Sequence, residues 1–119
     1  APAYVLASKE DHIVPWRSAY QTTKLLGGES RFALGASGHV AGVINPPAKN
    51  KRSHWKNEGS VDAQDWFDSA TEHPGSWWPD WDSWLKKHGS GTIRAADLGS
   101  EKYPPIEPAP GRYVKEKNI

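Results

Sequence analysis

Two short apolar runs, Ala3-Tyr4-Val5-Leu6-Ala7 and Arg31-Phe32-Ala33-Leu34-Gly35, flank a stretch with helical periodicity, and this arrangement constrains the fold more than any other feature. A short, continuous apolar run suits a strand buried on both faces. Between the runs, Trp16, Ala19, Tyr20, Thr23 and Leu26 recur at helical spacing and predict one apolar helix face. Pro15 suits the first turn of that helix, where a missing N–H leaves nothing unsatisfied. Gly27-Gly28 is expected to end it by accepting positive φ. Strand, helix and strand within about 30 residues form a βαβ unit, which implies parallel strands and a right-handed crossover.

The rest of the chain is less regular. Gly35 to Pro47 reads as a loop, and Lys51 to Lys56 as a short extended segment. Asp62 is placed to cap a helix in which Ala63, Trp66, Phe67 and Ala70 share a face. His73-Pro74-Gly75 breaks that helix, and Ser76 or Trp78 opens another, with Pro79 in its first turn. Trp77, Trp81, Trp84 and Leu85 form its expected apolar face, and Gly89 its end. From Ser90 onward, Pro104, Pro105, Pro108 and Pro110 favour an extended or disordered tail.

A chain of 119 residues makes one domain at most. It has no cysteine, which excludes disulfides and thiolate metal sites within it. The net charge of +1 supplies no global field for nucleic acid or a membrane surface. No segment has the length and apolarity of a transmembrane span, and the start is not signal-like. Asp62, Asp65, Asp68, Glu72, Asp80 and Asp82 read as a solvated acidic run. Lys49, Lys51 and Arg52 are either solvated surface or contacts for phosphate groups. The chain opens on a strand-like segment without an initiator methionine, so a C-terminal fragment of a longer protein is expected, with a small complete domain as the alternative.

Asp11 and His39 are the candidate catalytic residues. Each follows one of the two predicted strands, and in parallel sheets ligands bind outside the carboxyl ends of the strands. A carboxylate that accepts the Nδ1–H of an imidazole fixes its tautomer and stabilises the imidazolium formed when Nε2 takes a proton. In an α/β-hydrolase the chain order is nucleophile, acid, histidine, so the nucleophile is expected upstream. The competing reading makes Asp11 a cap for the following helix and His39 a surface residue. His12, next to Asp11, is expected to point elsewhere. His54, His73 and His88 lack partners at metal-ligand spacing.

The local sequences carry a resemblance. Glu10-Asp11-His12-Ile13-Val14-Pro15-Trp16 resembles the acid-bearing segment of class I poly(3-hydroxyalkanoate) synthases, and Gly35-Ala36-Ser37-Gly38-His39-Val40-Ala41-Gly42-Val43-Ile44-Asn45-Pro46-Pro47 their histidine segment. Thr71-Glu72-His73-Pro74-Gly75-Ser76-Trp77-Trp78-Pro79-Asp80-Trp81 is similar to their Trp-rich signature, and Pro108-Ala109-Pro110-Gly111-Arg112-Tyr113-Val114 to their terminal motif. The resemblance spans essentially the whole chain. It implies an α/β fold: the C-terminal portion of an α/β-hydrolase, with the last two parallel strands and their crossover helix in residues 1–59. A Trp-rich helical extension would follow over 60–89 and an extended Pro-rich tail over 90–119.

The same resemblance implies an acyltransferase that polymerises (R)-3-hydroxyacyl-CoA into polyester and releases CoA. Asp11 and His39 would be the triad acid and base, and the nucleophile a Cys in a Gly-x-Cys-x-Gly elbow that this chain lacks, so the chain alone is expected to be inactive. The family uses no metal and no cofactor, CoA being part of the substrate and a product. It also implies a cytoplasmic homodimer at the surface of polyester granules. Two rivals stand beside this reading. One is another α/β-hydrolase, an esterase or lipase with a Ser nucleophile. The other is a non-catalytic, Trp-rich module that binds polyester or carbohydrate, although aromatic stripes at helical spacing more often pack in a core.

Overall fold

A computed structural model describes residues 1–59 and 62–117. The expected segment boundary after residue 59, and the last two residues of the tail, fall at positions outside that description. Strand β1 (Ala3–Ser8), helix α1 (Trp16–Leu25) and strand β2 (Ser30–Gly35) form the expected βαβ unit, with β1 and β2 parallel and Ala3 opposite Ser30 through Ser8 opposite Gly35.

The sheet does not stop at two strands. Strands β3 (Ser53–Lys56) and β4 (Thr71–Pro74) extend it antiparallel, giving the order β1-β2-β3-β4. The reading of only two parallel strands is therefore corrected to a four-stranded mixed sheet. Helix α2 (Ala63–Asp68) lies within the β3–β4 connection, and helix α3 (Trp78–His88) follows β4. Asp62 caps α2 as expected, its carboxylate accepting the Gln64 amide at 2.7 Å.

Alternation along the strands assigns two faces. One presents Val5, Ala7, Phe32, Leu34 and Trp55 to α1 and α2. There Trp66, fully buried, meets Phe32 edge-on with ring centroids 4.8 Å apart, and Tyr20 meets Phe32 at 5.0 Å. Arg17 of α1 donates to the Gln64 side chain of α2, joining the two helices over this core. The tryptophan-packing reading holds for Trp66, and for Trp77, which is 8% exposed.

The other face presents Tyr4, Arg31 and Lys56, and one carboxylate holds all three. Asp80, in the first turn of α3, accepts Tyr4 Oη at 2.9 Å, Arg31 Nη2 at 2.6 Å and Lys56 Nζ at 2.8 Å. Burial pushes the Asp80 carboxyl up, but its bonds to Lys56 and Tyr4 and the charge of Arg31 more than offset this and hold it below the usual carboxylate range. Burial, reinforced by the Asp80 charge and hydrogen bond, pushes the Tyr4 hydroxyl far above its usual value. The side chain of Asp80 is only 9% exposed, so it does not belong to a solvated acidic face.

Of the two glycine expectations at helix ends, the first is corrected and the second holds. Helix α1 stops because Leu26 turns extended, and neither Gly27 nor Gly28 has positive φ. Gly89 does end α3, following His88 as its cap in an extended conformation at φ −90°. The apolar face of α3 is not buried, since Trp81 and Leu85 are exposed and Trp77 precedes the helix. Residues 90–117 are irregular apart from a turn at Tyr113–Lys115, and Ile93, Leu98, Ile106 and Tyr113 stay exposed.

Candidate active site

Because Ser8 lies opposite Gly35, β1 and β2 end at the same level, and the backbone ladder runs on into both loops. The Lys9 amide donates to the Gly35 carbonyl at 2.8 Å and the Glu10 amide to the Ser37 carbonyl at 3.1 Å. The histidine loop then folds back onto the strand ends. A Cβ on Gly35 would lie 2.9 Å from the Gly42 carbonyl oxygen, and one on Gly42 would lie 2.7 Å from the Ser8 Cβ, so both positions require glycine. Ser37 makes the reversal with φ of 79°, a region that costs a non-glycine residue about 1 kcal/mol or more.

This path brings Asp11 and His39 together. His39 Nδ1 lies 2.7 Å from Asp11 Oδ2. The other Asp11 oxygen accepts the amides of Ile13 and Val14, both at 2.9 Å, in an Asx-type turn. Asp11 thus gives one oxygen to the turn before α1, which has no side-chain cap of its own, and the other to His39. The Val14 amide is the strongest influence holding the Asp11 carboxyl down at about 2; the His39 bond and the Ile13 amide assist, against burial, which raises it. Asp11 is therefore a carboxylate at neutral pH, and the proton between the two side chains sits on Nδ1. The Asp11 side chain is 8% exposed, whereas that of His39 is 46% exposed. Nε2, across the ring from Asp11, is left as the basic nitrogen.

Beside the pair lies an open hollow of about 400 Å³, lined by Leu6, Ala7, Val14, Ala19, Val40, Val43 and Ile44 together with Ser8. It is mostly apolar and suits an aliphatic group brought to the imidazole. A larger and more polar hollow of about 690 Å³ lies at the opposite end of β2, beside Glu29, Arg31, Lys56 and Trp84, away from Asp11 and His39.

The remaining candidates go elsewhere. His12 is exposed, and Lys49, Lys51 and Arg52 are exposed on the loop before β3. His54 and His73 stack across the β3–β4 pair with centroids 5.5 Å apart, a pairing invisible until β4 is recognised. His54 is buried, which lowers its pKa despite the Gly75 carbonyl bonded to Nδ1 at 3.2 Å. Among the described residues, no three His, Asp or Glu side chains converge on a metal position. No described helix is long and apolar enough to cross a membrane.

Sequence reasoning missed the tryptophans that touch the histidine loop. The Trp77 indole N–H donates to the Gly42 and Val43 carbonyls at 3.1 and 3.2 Å, and the Trp78 indole to Val43 at 3.0 Å. The Trp-Trp-Pro sequence, which interrupts the helical spacing, was the available signal.

A mixed α/β sheet that gathers a carboxylate and an imidazole at the carboxyl ends of adjacent parallel strands defines a protein with a strand-end site. No family model matches the chain. Individual proteins do. The chain is 58% identical, over 98% of its length, to Poly(3-hydroxyalkanoate) polymerase subunit PhaC of Cupriavidus necator. It is 40% identical over 98% of its length to the protein of that name from Rhizobium etli, and 42% identical over 94% to Poly(3-hydroxyalkanoate) polymerase 2 of Ectopseudomonas oleovorans. The chain matches the C-terminal region of poly(3-hydroxyalkanoate) polymerases. It spans about a fifth of the length of these curated relatives, 20%, 18% and 20% respectively.

Proposed function

We propose that this chain supplies the acid and base of a poly(3-hydroxyalkanoate) polymerase built on an α/β-hydrolase fold, which joins (R)-3-hydroxyacyl units from CoA thioesters into polyester. The observation that carries the reading is the 2.7 Å contact between His39 Nδ1 and a buried Asp11 carboxylate at the strand ends, beside an apolar hollow. The likeness to proteins named polymerases supplies the substrate class.

The chain has no cysteine, so the nucleophilic Cys lies in the part of the polymerase outside it. His39 Nε2 removes the Cys proton, and the thiolate attacks the thioester carbonyl. The carbonyl–sulfur bond to CoA breaks, the CoA thiolate takes the proton from the imidazolium, and the acyl group remains on Cys as a new thioester. His39 then accepts the proton of a 3-hydroxyl group, whose oxygen attacks this thioester. An ester forms and the Cys thiolate leaves, regaining a proton from the imidazolium. Asp11 holds the imidazole in one tautomer and offsets its positive charge in both halves. The apolar hollow would seat the aliphatic part of the acyl group. The polymerase works without metal or cofactor, as a homodimer at the granule surface in the cytoplasm, with residues 1–59, 60–89 and 90–119 as catalytic part, Trp-rich extension and tail.

In the full-length polymerase, His39→Ala is expected to abolish covalent labelling of the enzyme by radiolabelled substrate. Labelling at the unaltered rate would remove His39 from the mechanism. The module reading is less favoured: Trp66 and Trp77 are buried, and although Trp81 is exposed, that reading gives no reason for Asp11 and His39 to meet.

A further inference from the structure

The turn that carries His39 ends on the carbonyls of Gly42 and Val43, and two tryptophans donate to them, the Val43 carbonyl also accepting the Asn45 amide at 3.1 Å. The amides of Gly42 and Ile44 donate to the carbonyls of Gly38 and Val40, both at 2.8 Å, so residues 38–44 wind as a short helical turn around His39. The last carbonyls of such a turn have no partner within it. Gly42 is buried, so its carbonyl has little water to turn to. The Trp77 indole N–H serves the carbonyls of Gly42 and Val43, and the Trp78 indole serves Val43 again.

These donors are fixed to the sheet. The Trp77 ring stacks on Tyr4 at 6.1 Å and meets Trp81 at 5.8 Å. Tyr4 is bonded to Asp80, two residues after Trp78, and Asp80 is bonded in turn to Arg31 and Lys56. The histidine turn is therefore held at two points, by Asp11 at the imidazole and by the indoles at its far end. Packing alone would not require both ring N–H groups to aim at one turn.

We infer that Trp77 and Trp78 are positioning residues for His39, acting through the carbonyls of Gly42 and Val43. The inference rests on the proposed acid–base role of His39. Without the indole donors, the buried Gly42 carbonyl loses its donor and the Val43 carbonyl keeps only the Asn45 amide, so the turn loosens and the imidazole loses its register with the nucleophile.

The test uses the full-length polymerase with Trp→Phe changes, which keep a ring and delete the donor. The Trp77→Phe/Trp78→Phe variant is expected to lower kcat by about 10- to 100-fold at nearly constant KM, since displacing a reacting group by about 1 Å costs up to that much. Trp78→Phe alone, at a partly exposed ring, is expected to lower kcat by a smaller factor with the melting temperature unchanged. Rates are taken per folded enzyme, with the folded fraction read by circular dichroism. An unchanged kcat in Trp78→Phe overturns the inference, whether or not the double variant folds. A rise in KM at constant kcat, or a lower melting temperature at constant kcat, overturns it equally. His39→Ala measured alongside separates the two ideas. If it leaves acylation intact, the acid–base reading fails; if it abolishes acylation while the Phe variants keep full kcat, only the tryptophan inference fails.

Discussion

Rings pack the α1–α2 face of the sheet, whereas the α3 face is tied down by one carboxylate. On the first, Tyr20, Phe32 and Trp66 exclude water by apolar burial, which neither pH nor salt alters much. On the second, Asp80 gathers a phenol, a guanidinium and an ammonium. The comparison teaches where the site is robust and where it is exposed to conditions. Asp11 leaves the end of β1, which is shared by both faces, but the histidine turn is anchored to the charged face through Trp77 and Trp78. Disturbing the ring-packed face should unfold the unit; disturbing the charged face should first loosen the histidine turn.

The largest effect is expected from Trp66→Ala. Emptying that fully buried site should cost about 4 kcal/mol and abolish both folding of this region and activity. Denaturant unfolding of the full-length enzyme, followed by hydrogen exchange in β2, checks it; a cost below about 1 kcal/mol would place the core elsewhere. Asp80→Asn comes next, at about 2 kcal/mol, because Arg31 and Lys56 lose their common charged acceptor. Hydrogen exchange should then rise in α3 and in residues 38–44 before it rises in α1, and equal rises would erase the distinction between the faces. Tyr4→Phe removes only one bond to Asp80 and should cost about 1 kcal/mol, with kcat reduced more than KM.

The smallest effect is the pH dependence, and its sign follows from the shifts. His54 has a lowered pKa, so the unfolded chain binds its proton first. Its contribution is complete above the unfolded value of about 6.5 and declines as pH falls through it. Asp80 and Asp11 are lowered carboxylates, so their contributions hold above about 4 and are lost as pH falls further. Protection of the α3 face should therefore weaken between pH 7 and 5, while the Trp66 side keeps its protection. A stability that rises on acidification across this window would contradict the burial of a neutral His54.

Half of this architecture is legible in the sequence, for physical reasons. Strands β1 and β2 are short apolar runs, α1 has a clean helical face, and Asp62 is a strong cap, so local pattern and tertiary structure agree. Strand β4 reads Thr-Glu-His-Pro and offers no hydrophobic alternation. It is held by backbone pairing to β3, and Pro74 sits at its end on the sheet edge, where no N–H is needed. Asp80 looks like one more acid in a charged stretch, because its partners lie 76, 49 and 24 residues away. The site divides in the same way. Asp11 and His39 are visible because both follow strands of one βαβ unit. The indole donors are not, because Trp spacing suggests packing and gives no sign of where an N–H points.

The proposed function is tested most directly by the pre-steady-state release of CoA from the full-length protein that carries this chain. The wild type should release a burst of about one CoA per site as the nucleophile is acylated. Asp11→Asn, which fits the wrong tautomer of His39, should slow that burst by about 100-fold or more. His39→Ala should show no burst at all. A burst of wild-type rate and amplitude in His39→Ala would contradict the account.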